Sequence, residues 1–159
     1  MSEISIYEKK IQELSLVLPE LAKPAGIYQP FVIAGNLAFL SGQLGRVSGA
    51  LVTGKVGKNL NLKEAQAAAR GAGLHVLSLI QYGIGWQNFK RIVKLSGFVQ
   101  VDPAFTEISA VINGASEVLA QVLGEAGAHA RTSVGVASLP QNAAIEIEVV
   151  VELHGDKPQ

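Results

Sequence analysis

The sequence predicts an α+β fold in which a mostly antiparallel or mixed sheet carries two long helices on one face. The predicted order of elements is helix, hairpin, helix, strand, helix, hairpin. This order lacks the strict alternation of strands and helices that gives a doubly wound parallel sheet. A length of 159 residues suits a single domain, which we place over residues 1–159.

The first elements are a short helix and a tight hairpin. Ser5, followed three residues later by Glu8, has the pattern of a capping box and predicts a helix over residues 5–16. Two apolar runs at 31–34 and 37–41 are separated only by a Gly-Asn dipeptide. Such a dipeptide between strand-like runs predicts a hairpin.

A glycine-rich stretch over residues 42–58 separates this hairpin from the first long helix. It contains a short strand candidate near 51–52. The run Gly-Lys-Val-Gly-Lys at 54–58 lacks the Gly-Lys-Ser/Thr ending of a phosphate-binding loop, so it predicts a flexible surface loop. Asn61 followed by Glu64 then opens a helix that continues to about residue 82.

The second half of the chain contains a strand, the clearest helix and two further strands. Residues 91–101 are mainly apolar and end at an Asp-Pro pair. The next helix carries one continuous apolar stripe of Ile108, Val111, Ile112, Ala115, Val118, Leu119 and Val122. A strand that begins at Arg131, a Leu-Pro-Gln-Asn turn and the alternating run 145–153 predict a second hairpin.

Composition limits the classes of function. Charged residues make up 16% of the chain, against about 25% in average proteins, so we expect part of the exterior to be buried against copies of the same chain. The formal net charge is zero, which disfavours nucleic acid and anionic membranes as partners. Cysteine is absent, and no apolar run approaches a membrane span. We therefore expect a cytoplasmic protein.

Few residues suggest chemistry by their spacing alone. His75, His129 and His154 lie far apart and have no metal-ligand spacing. Arg131 begins a strand whose next residues on the same face are small, which leaves room for an anionic ligand. From these residues alone, an ion pair between Arg131 and a glutamate of its own hairpin is slightly favoured over the ligand. The glutamates along 145–153 are also typical of a solvated edge strand.

The sequence resembles the RidA/YjgF family of reactive-intermediate deaminases, also called the L-PSP endoribonuclease family. The resemblance covers residues 24–153 and leaves residues 1–23 as an N-terminal helical extension. It is carried by Tyr28, by the segment 35–43 (Gly-Asn-Leu-Ala-Phe-Leu-Ser-Gly-Gln), and by Arg-Thr-Ser-Val-Gly-Val-Ala-Ser-Leu-Pro followed by Ile-Glu-Ile-Glu. It implies a chorismate-mutase-like fold and a homotrimer with sites in the clefts between subunits. The implied reaction is hydrolysis of 2-imino or 2-enamino acids to 2-keto acids and ammonia, with neither metal nor cofactor.

The resemblance also implies roles for individual residues. Arg131 matches the arginine that binds the substrate carboxylate, and Glu146 matches the glutamate that positions or activates water. Ser133 occupies a position where many members of the family have cysteine. The implied substrate-binding residues are Tyr28, Ser41, Gly42, Asn113, Arg131 and Ser133.

Two departures from the minimal family pattern leave other functions open. The N-terminal helix and the longer loop at 43–58 resemble a distinct branch of the family, and a loop that folds over the cleft would change the substrate size or abolish activity. One alternative is a non-catalytic trimer that binds small carboxylates, for which a carboxylate at Glu146 has no evident use. The other is a ribonuclease that inhibits translation, which the absence of a basic surface disfavours.

Overall fold

The computed structural model describes residues 4–155, and it confirms the α+β fold with two long helices on one face of a mixed sheet. The helices are α1 (Ile6–Glu13), α2 (Leu62–Ser78) and α3 (Ile108–Leu123). The strands are β1 (Phe31–Ala34), β2 (Leu37–Leu40), β3 (Gln43–Leu44), β4 (Arg46–Val47), β5 (Ala50–Leu51), β6 (Phe89–Gln100), β7 (Ala130–Val136) and β8 (Ile145–Leu153). A π-helical segment, Leu79–Ile84, follows α2 directly. Among the described residues, no helix is long and apolar enough to cross a membrane.

The strand order shows that the predicted second hairpin is wrong. The sheet runs β1-β2-β8-β6-β7, with β3 also paired to β8, and only the β6–β7 pair is parallel. Since α3 connects β6 to β7, β7 must run parallel to β6. The chain then crosses the end of β6 through the 3₁₀ turn Pro140–Asn142, and β8 pairs with the other side of β6. Gly97 of β6 therefore pairs with Ser133 on one side and Ile147 on the other.

Small residues allow α2 and α3 to pack closely against each other. The buried small residues of these two helices are Ala65, Ala68, Ala69, Ala72 and Gly73 of α2, with Gly114 and Ala115 of α3. A Cβ atom at Gly114 would overlap the carbonyl oxygen of Gln66. The backbones are thus in contact at this point, and the glycine that would weaken an isolated helix is required here.

The N-terminal segment is attached to the domain. The predicted capping box is present at the start of α1, where Ser5 and Glu8 bond each other's backbone N–H. The ring of Tyr7 lies 4.9 Å from that of Trp86 and 5.5 Å from that of Phe89. Further along, the Ser78 hydroxyl donates to the Pro19 carbonyl at 2.7 Å. These contacts fix where the chain enters the first hairpin.

The glycine-rich stretch also differs from its prediction. Strand β3 extends the sheet by pairing with β8, and β4 and β5 form a separate small hairpin. Val56 is fully buried, and its N–H donates to the Gln100 carbonyl at 2.9 Å. The segment 54–58, which was predicted to be a flexible surface loop, is therefore anchored to the end of β6.

We expect Gly114→Ala to destabilise the protein, although alanine stabilises most helix interiors by about 1 kcal/mol relative to glycine. The added methyl group would force α3 away from the backbone of α2 at Gln66, and overpacking of this kind costs roughly 1–3 kcal/mol. Urea denaturation of the purified protein measures the change. Glu117→Ala, on the exposed side of α3, is the control and should change stability by less than about 0.5 kcal/mol. A more stable Gly114→Ala variant would contradict the close helix contact.

Candidate functional site

The residues predicted to form a site fall into two groups in the folded chain. The first group, which we call the pocket group, is Tyr28, Ser41, Gly42 and Glu146. The second, which we call the α3 group, is Asn113, Arg131 and Ser133. Each group has its own supporting contacts.

The pocket group is organised by the pairing of β3 with β8. Leu44 pairs with Glu146, which brings the Glu146 side chain against the backbone at Gly42. A Cβ atom at Gly42 would overlap the Glu146 carboxylate, so glycine is required for this approach. The Ser41 hydroxyl donates to the Gln29 carbonyl at 2.6 Å, which fixes the segment that carries Tyr28.

A small pocket of about 120 Å³ opens beside these residues. This volume is below the roughly 300–1,000 Å³ typical of pockets that enclose a whole ligand, so it suits part of a small metabolite. Its lining consists of Leu21, Ala22, Lys23, Pro24, Ala25, Tyr28, Pro30, Ser41, Gly42, Gln43, Leu44, Arg46, His75, Leu79 and Gln141. Three members of the pocket group lie in this wall, and Glu146 lies directly behind Gly42.

The Glu146 carboxyl has the electrostatics of a proton acceptor. Burial raises its pKa above the usual 4.5, and the negative charge of Glu148 on the same strand raises it further. A carboxylate with a raised pKa takes a proton more readily than an ordinary glutamate. The geometry and the pKa together make Glu146 a candidate general base.

The α3 group positions the Arg131 guanidinium against a helix. Its Nη1 donates to the Asn113 Oδ1 at 2.9 Å and the Ser116 Oγ at 3.0 Å. Its Nη2 donates to the Ser109 Oγ at 2.8 Å and the Ser109 carbonyl at 3.2 Å. The sequence predicted room for an anionic ligand over the strand that begins at Arg131. In the structure, the Arg131 side chain contacts α3 instead. The alternative of an ion pair within a hairpin is also wrong, because Arg131 pairs with no carboxylate among residues 4–155.

Three residues around Arg131, namely Ser109, Ser116 and His129, were missed by the sequence analysis. Ser116 bonds Arg131, and its oxygen lies 3.0 Å from His129 Nε2. His129 Nδ1 lies 2.6 Å from the Gly127 carbonyl, which can only accept, so Nδ1 carries the proton and Nε2 accepts from Ser116. The signal was present in the sequence, since Ser109, Asn113 and Ser116 recur at helical spacing opposite the apolar stripe.

Ser133 lies two residues beyond Arg131 on β7 and shares its face. Its hydroxyl oxygen is buried and has no hydrogen-bond partner among the described residues. Residues 4–155 also contain no cluster of three His, Asp or Glu side chains that could hold a metal ion. The α3 group therefore offers one guanidinium and hydroxyl groups, not metal ligands.

Sheet geometry separates the two groups within one chain. Arg131 pairs with Leu95, and Glu146 pairs with Phe98. Because Leu95 and Phe98 are an odd number of residues apart on one strand, Arg131 and Glu146 point to opposite faces of the sheet. Their strands are two strand spacings apart, about 10 Å. A small ligand cannot contact both side chains of the same chain.

The face of the sheet opposite the helices carries apolar side chains that one chain leaves exposed. Val32, Phe39 and Val134 are 57%, 46% and 39% exposed, and the register places them on the face that carries Glu146. Strand β7 also pairs on only one side within the described part of the chain. A surface with these properties suits contact with another protein surface.

Comparison with known proteins gives consistent matches. Residues 8–153 match the family described as "YjgF/chorismate mutase-like, putative endoribonuclease", so the match includes much of the N-terminal extension. The chain is 45% identical to Protein TCP17 of Trypanosoma cruzi over 91% of its own length and 92% of that protein.

Two solved structures are similar over almost the whole chain. The protein Atu1372 of unknown function from Agrobacterium tumefaciens is 43% identical, with a TM-score of 0.84 and 94% of each chain covered. A protein from Shewanella oneidensis described as a "putative endoribonuclease" is 31% identical, with a TM-score of 0.86, covering 92% of this chain and 99% of that one.

We expect Glu146→Gln to be more stable than the wild type at neutral pH. The pKa of Glu146 is raised in the folded state, so the folded protein holds this proton more tightly than the unfolded chain. The free energy of unfolding therefore falls as the pH rises from the pKa of Glu146 in the unfolded chain through its higher pKa in the folded protein. Glutamine does not titrate, so the variant does not lose this stability. Melting temperatures measured from pH 4 to pH 8 should show an advantage for the variant that disappears at the acidic end. Glu117→Gln is the control, and an advantage independent of pH would contradict the assignment.

Proposed function

This chain belongs to the YjgF/chorismate mutase-like family, and we propose that it hydrolyses 2-imino and 2-enamino acids to 2-keto acids and ammonia. The observation that carries the proposal is the environment of Glu146, a half-buried carboxylate with a raised pKa beside a small pocket. We further propose that Arg131 of a neighbouring copy completes this site, because Arg131 of the same chain lies on the opposite face of the sheet.

Arg131 binds the substrate carboxylate in this proposal. The contacts with Ser109, Asn113 and Ser116 use both terminal nitrogens and fix the plane of the guanidinium. The Nε–H of Arg131 can bond one oxygen of the substrate carboxylate. The other oxygen replaces a neutral acceptor of α3 and accepts the N–H that this acceptor had bonded. A hydrogen bond between two ions is roughly twice as strong as a neutral one, which favours that exchange.

Glu146 moves the protons in this proposal. The oxygen of a water molecule adds to the C=N carbon of the iminium, the electron pair of the double bond moves to nitrogen, and Glu146 takes a proton from the water. Glu146 then returns this proton to the amino nitrogen. Glu146 takes the proton of the new hydroxyl as the C–N bond breaks and the carbonyl forms, ammonia leaves, and Glu146 then releases this proton to solvent. A 2-enamino acid enters the same sequence after a proton adds to C3, and the whole reaction consumes one water.

The proposed assembly is a homotrimer with its clefts between neighbouring copies. The exposed apolar residues Val32, Phe39 and Val134 support it, as does the unpaired edge of β7. A low proportion of charged residues, 16%, is also typical of a chain whose exterior is partly covered. Closed assembly gives every copy the same contacts, so each cleft receives one Arg131 and one Glu146.

The proposal does not assign ribonuclease activity to this chain. The formal net charge is zero, whereas proteins that bind single-stranded RNA without sequence preference combine basic grooves with stacked aromatic side chains. Filter binding of single-stranded RNA at low salt distinguishes the two functions, and tight, salt-sensitive binding would favour the ribonuclease.

We expect Arg131→Gln to reduce deaminase activity by at least about a hundredfold, since a charged hydrogen bond contributes roughly 1.5–3 kcal/mol and the arginine makes two. The assay measures keto acid released from imines that an amino-acid oxidase generates in place. Arg70→Gln is the matched control because Arg70 bonds only Gln121 on the outside of the helix pair. Wild-type rates from Arg131→Gln would remove Arg131 from the site.

We expect activity to return when two inactive variants assemble together. In an oligomer of Arg131→Gln and Glu146→Gln chains, some clefts combine an intact Arg131 from one copy with an intact Glu146 from its neighbour. In a trimer that contains both variants, one cleft in three has both residues intact, so material purified through both tags should show about one third of the wild-type rate. The measurement uses co-expressed chains with different tags, purified through both. A co-purified oligomer that stays inactive would contradict the shared site.

The variant Glu146→Gln distinguishes catalysis from simple binding of carboxylates. If the protein only binds carboxylates, Glu146→Gln should bind 2-oxobutyrate as the wild type does, and neither protein should accelerate imine hydrolysis. Under the proposed function, the variant binds the keto acid and loses turnover. Isothermal titration together with the oxidase-coupled assay distinguishes these outcomes.

A further inference from the structure

The pocket contains a second basic group that the proposed reaction does not use. Arg46 and His75 line it together with Tyr28, Ser41 and Gly42. Gly42 and Arg46 are four residues apart along largely extended chain, at most about 13 Å. The basic end of the pocket therefore lies within about 13 Å of Gly42.

Arg46 is held in place through its backbone. Its strand, β4, packs against α2 at Gly71, where a Cβ atom would overlap the Arg46 carbonyl oxygen. His75 lies one helical turn beyond Gly71 and therefore on the same side of α2. This packing brings the arginine and the histidine into one wall without using the polar atoms of either side chain.

The Arg46 side chain keeps most of its donors available. Its only hydrogen bond to the described residues runs from Nη1 to the Gly49 carbonyl, at 3.4 Å. It also forms no ion pair within residues 4–155. This differs from Arg131, whose two terminal nitrogens are both occupied by α3. A free guanidinium fork in a pocket wall matches the two oxygens of a carboxylate.

The surroundings of Arg46 favour an anion. Lys23 lines the same pocket, and the lining includes no carboxylate. Glu20 is the acidic residue nearby, and it lines the adjoining hollow on the other side of Arg46 and His75. Burial, and then the charge of Arg46, lower the pKa of His75, so at neutral pH it is an uncharged ring that can donate one N–H.

We infer that the Arg46 and His75 end of the pocket binds a second acidic group of the substrate. Given the proposed function, the preferred substrates are then imines of amino acids with an acidic side chain, and imines of aliphatic amino acids are poorer substrates. The volume of about 120 Å³ accommodates a carboxylate on a short chain. Residues 21–23 of the N-terminal extension form part of this wall, which gives the extension a role in specificity.

The test compares two keto acids that differ in one end group. Isothermal titration measures 2-oxoglutarate and 2-oxopentanoate, which carry a carboxylate and a methyl group at the same position, against the wild type and Arg46→Gln. We expect the wild type to prefer 2-oxoglutarate by roughly tenfold to a hundredfold, the gain typical of a charged hydrogen bond. Arg46→Gln should remove this preference and leave 2-oxopentanoate binding unchanged. Arg46→Lys, which keeps the charge without the fork, should retain part of it.

Two results would overturn the inference. Equal losses for both keto acids in Arg46→Gln would make Arg46 the general carboxylate clamp, and unchanged binding of both would leave it without a role. Arg70→Gln is the matched control, and a melting curve of each variant excludes unfolding as the cause. The titration requires no turnover, so its outcome is separate from the deaminase assay. A wild type that hydrolyses no imine but shows this Arg46-dependent preference would refute the proposed reaction and keep the binding site.

Discussion

The position of β6 between β7 and β8 is the constraint on which the candidate site depends. Strand pairing fixes the register of Arg131 and Glu146 on either side of β6, and the pleat then directs them to opposite faces. No rotation of a side chain can bring both to one small molecule. A site that uses both must therefore be built from two copies, and the exposed apolar residues and open strand edge describe the surfaces available for that assembly.

Close packing of α2 against α3 and β4 positions the two arginines. Gly114 and Gly71 bring backbone against backbone, the first between α2 and α3 and the second between α2 and β4. With the helices fixed, the polar side of α3 meets Arg131, and the face of α2 that carries His75 meets Arg46. The same alanine-rich and glycine-rich core thus orients the two arginines, one bonded to α3 and one available to a ligand.

The charges at Glu146 and at the pocket wall formed by Arg46 and Lys23 suit different tasks. Glu146 lies in a partly buried position beside Glu148, and burial first and then the charge of Glu148 raise its pKa, which favours proton uptake. Arg46 and Lys23 face a pocket wall without carboxylates, which favours an anion. Glu146 approaches the Gly42 backbone, and Gly42 lines the same pocket as Arg46 and Lys23, so a carboxylate for chemistry and separate cations for binding can serve one substrate.

The sequence by itself determined the elements: the capping boxes at Ser5 and Asn61, the tight turn after β1 and the apolar stripe of α3 are local patterns, and the structure confirms each of them. It also marked Arg131 and Glu146 through a family resemblance. Only the tertiary structure decided which strands pair, because the order β8-β6-β7 arises from long-range contacts that no local pattern encodes. For the same reason, the bonds of Arg131 to α3, the anchored Val56 and the meeting of Arg46 with His75 could not be predicted from residues distant in the chain.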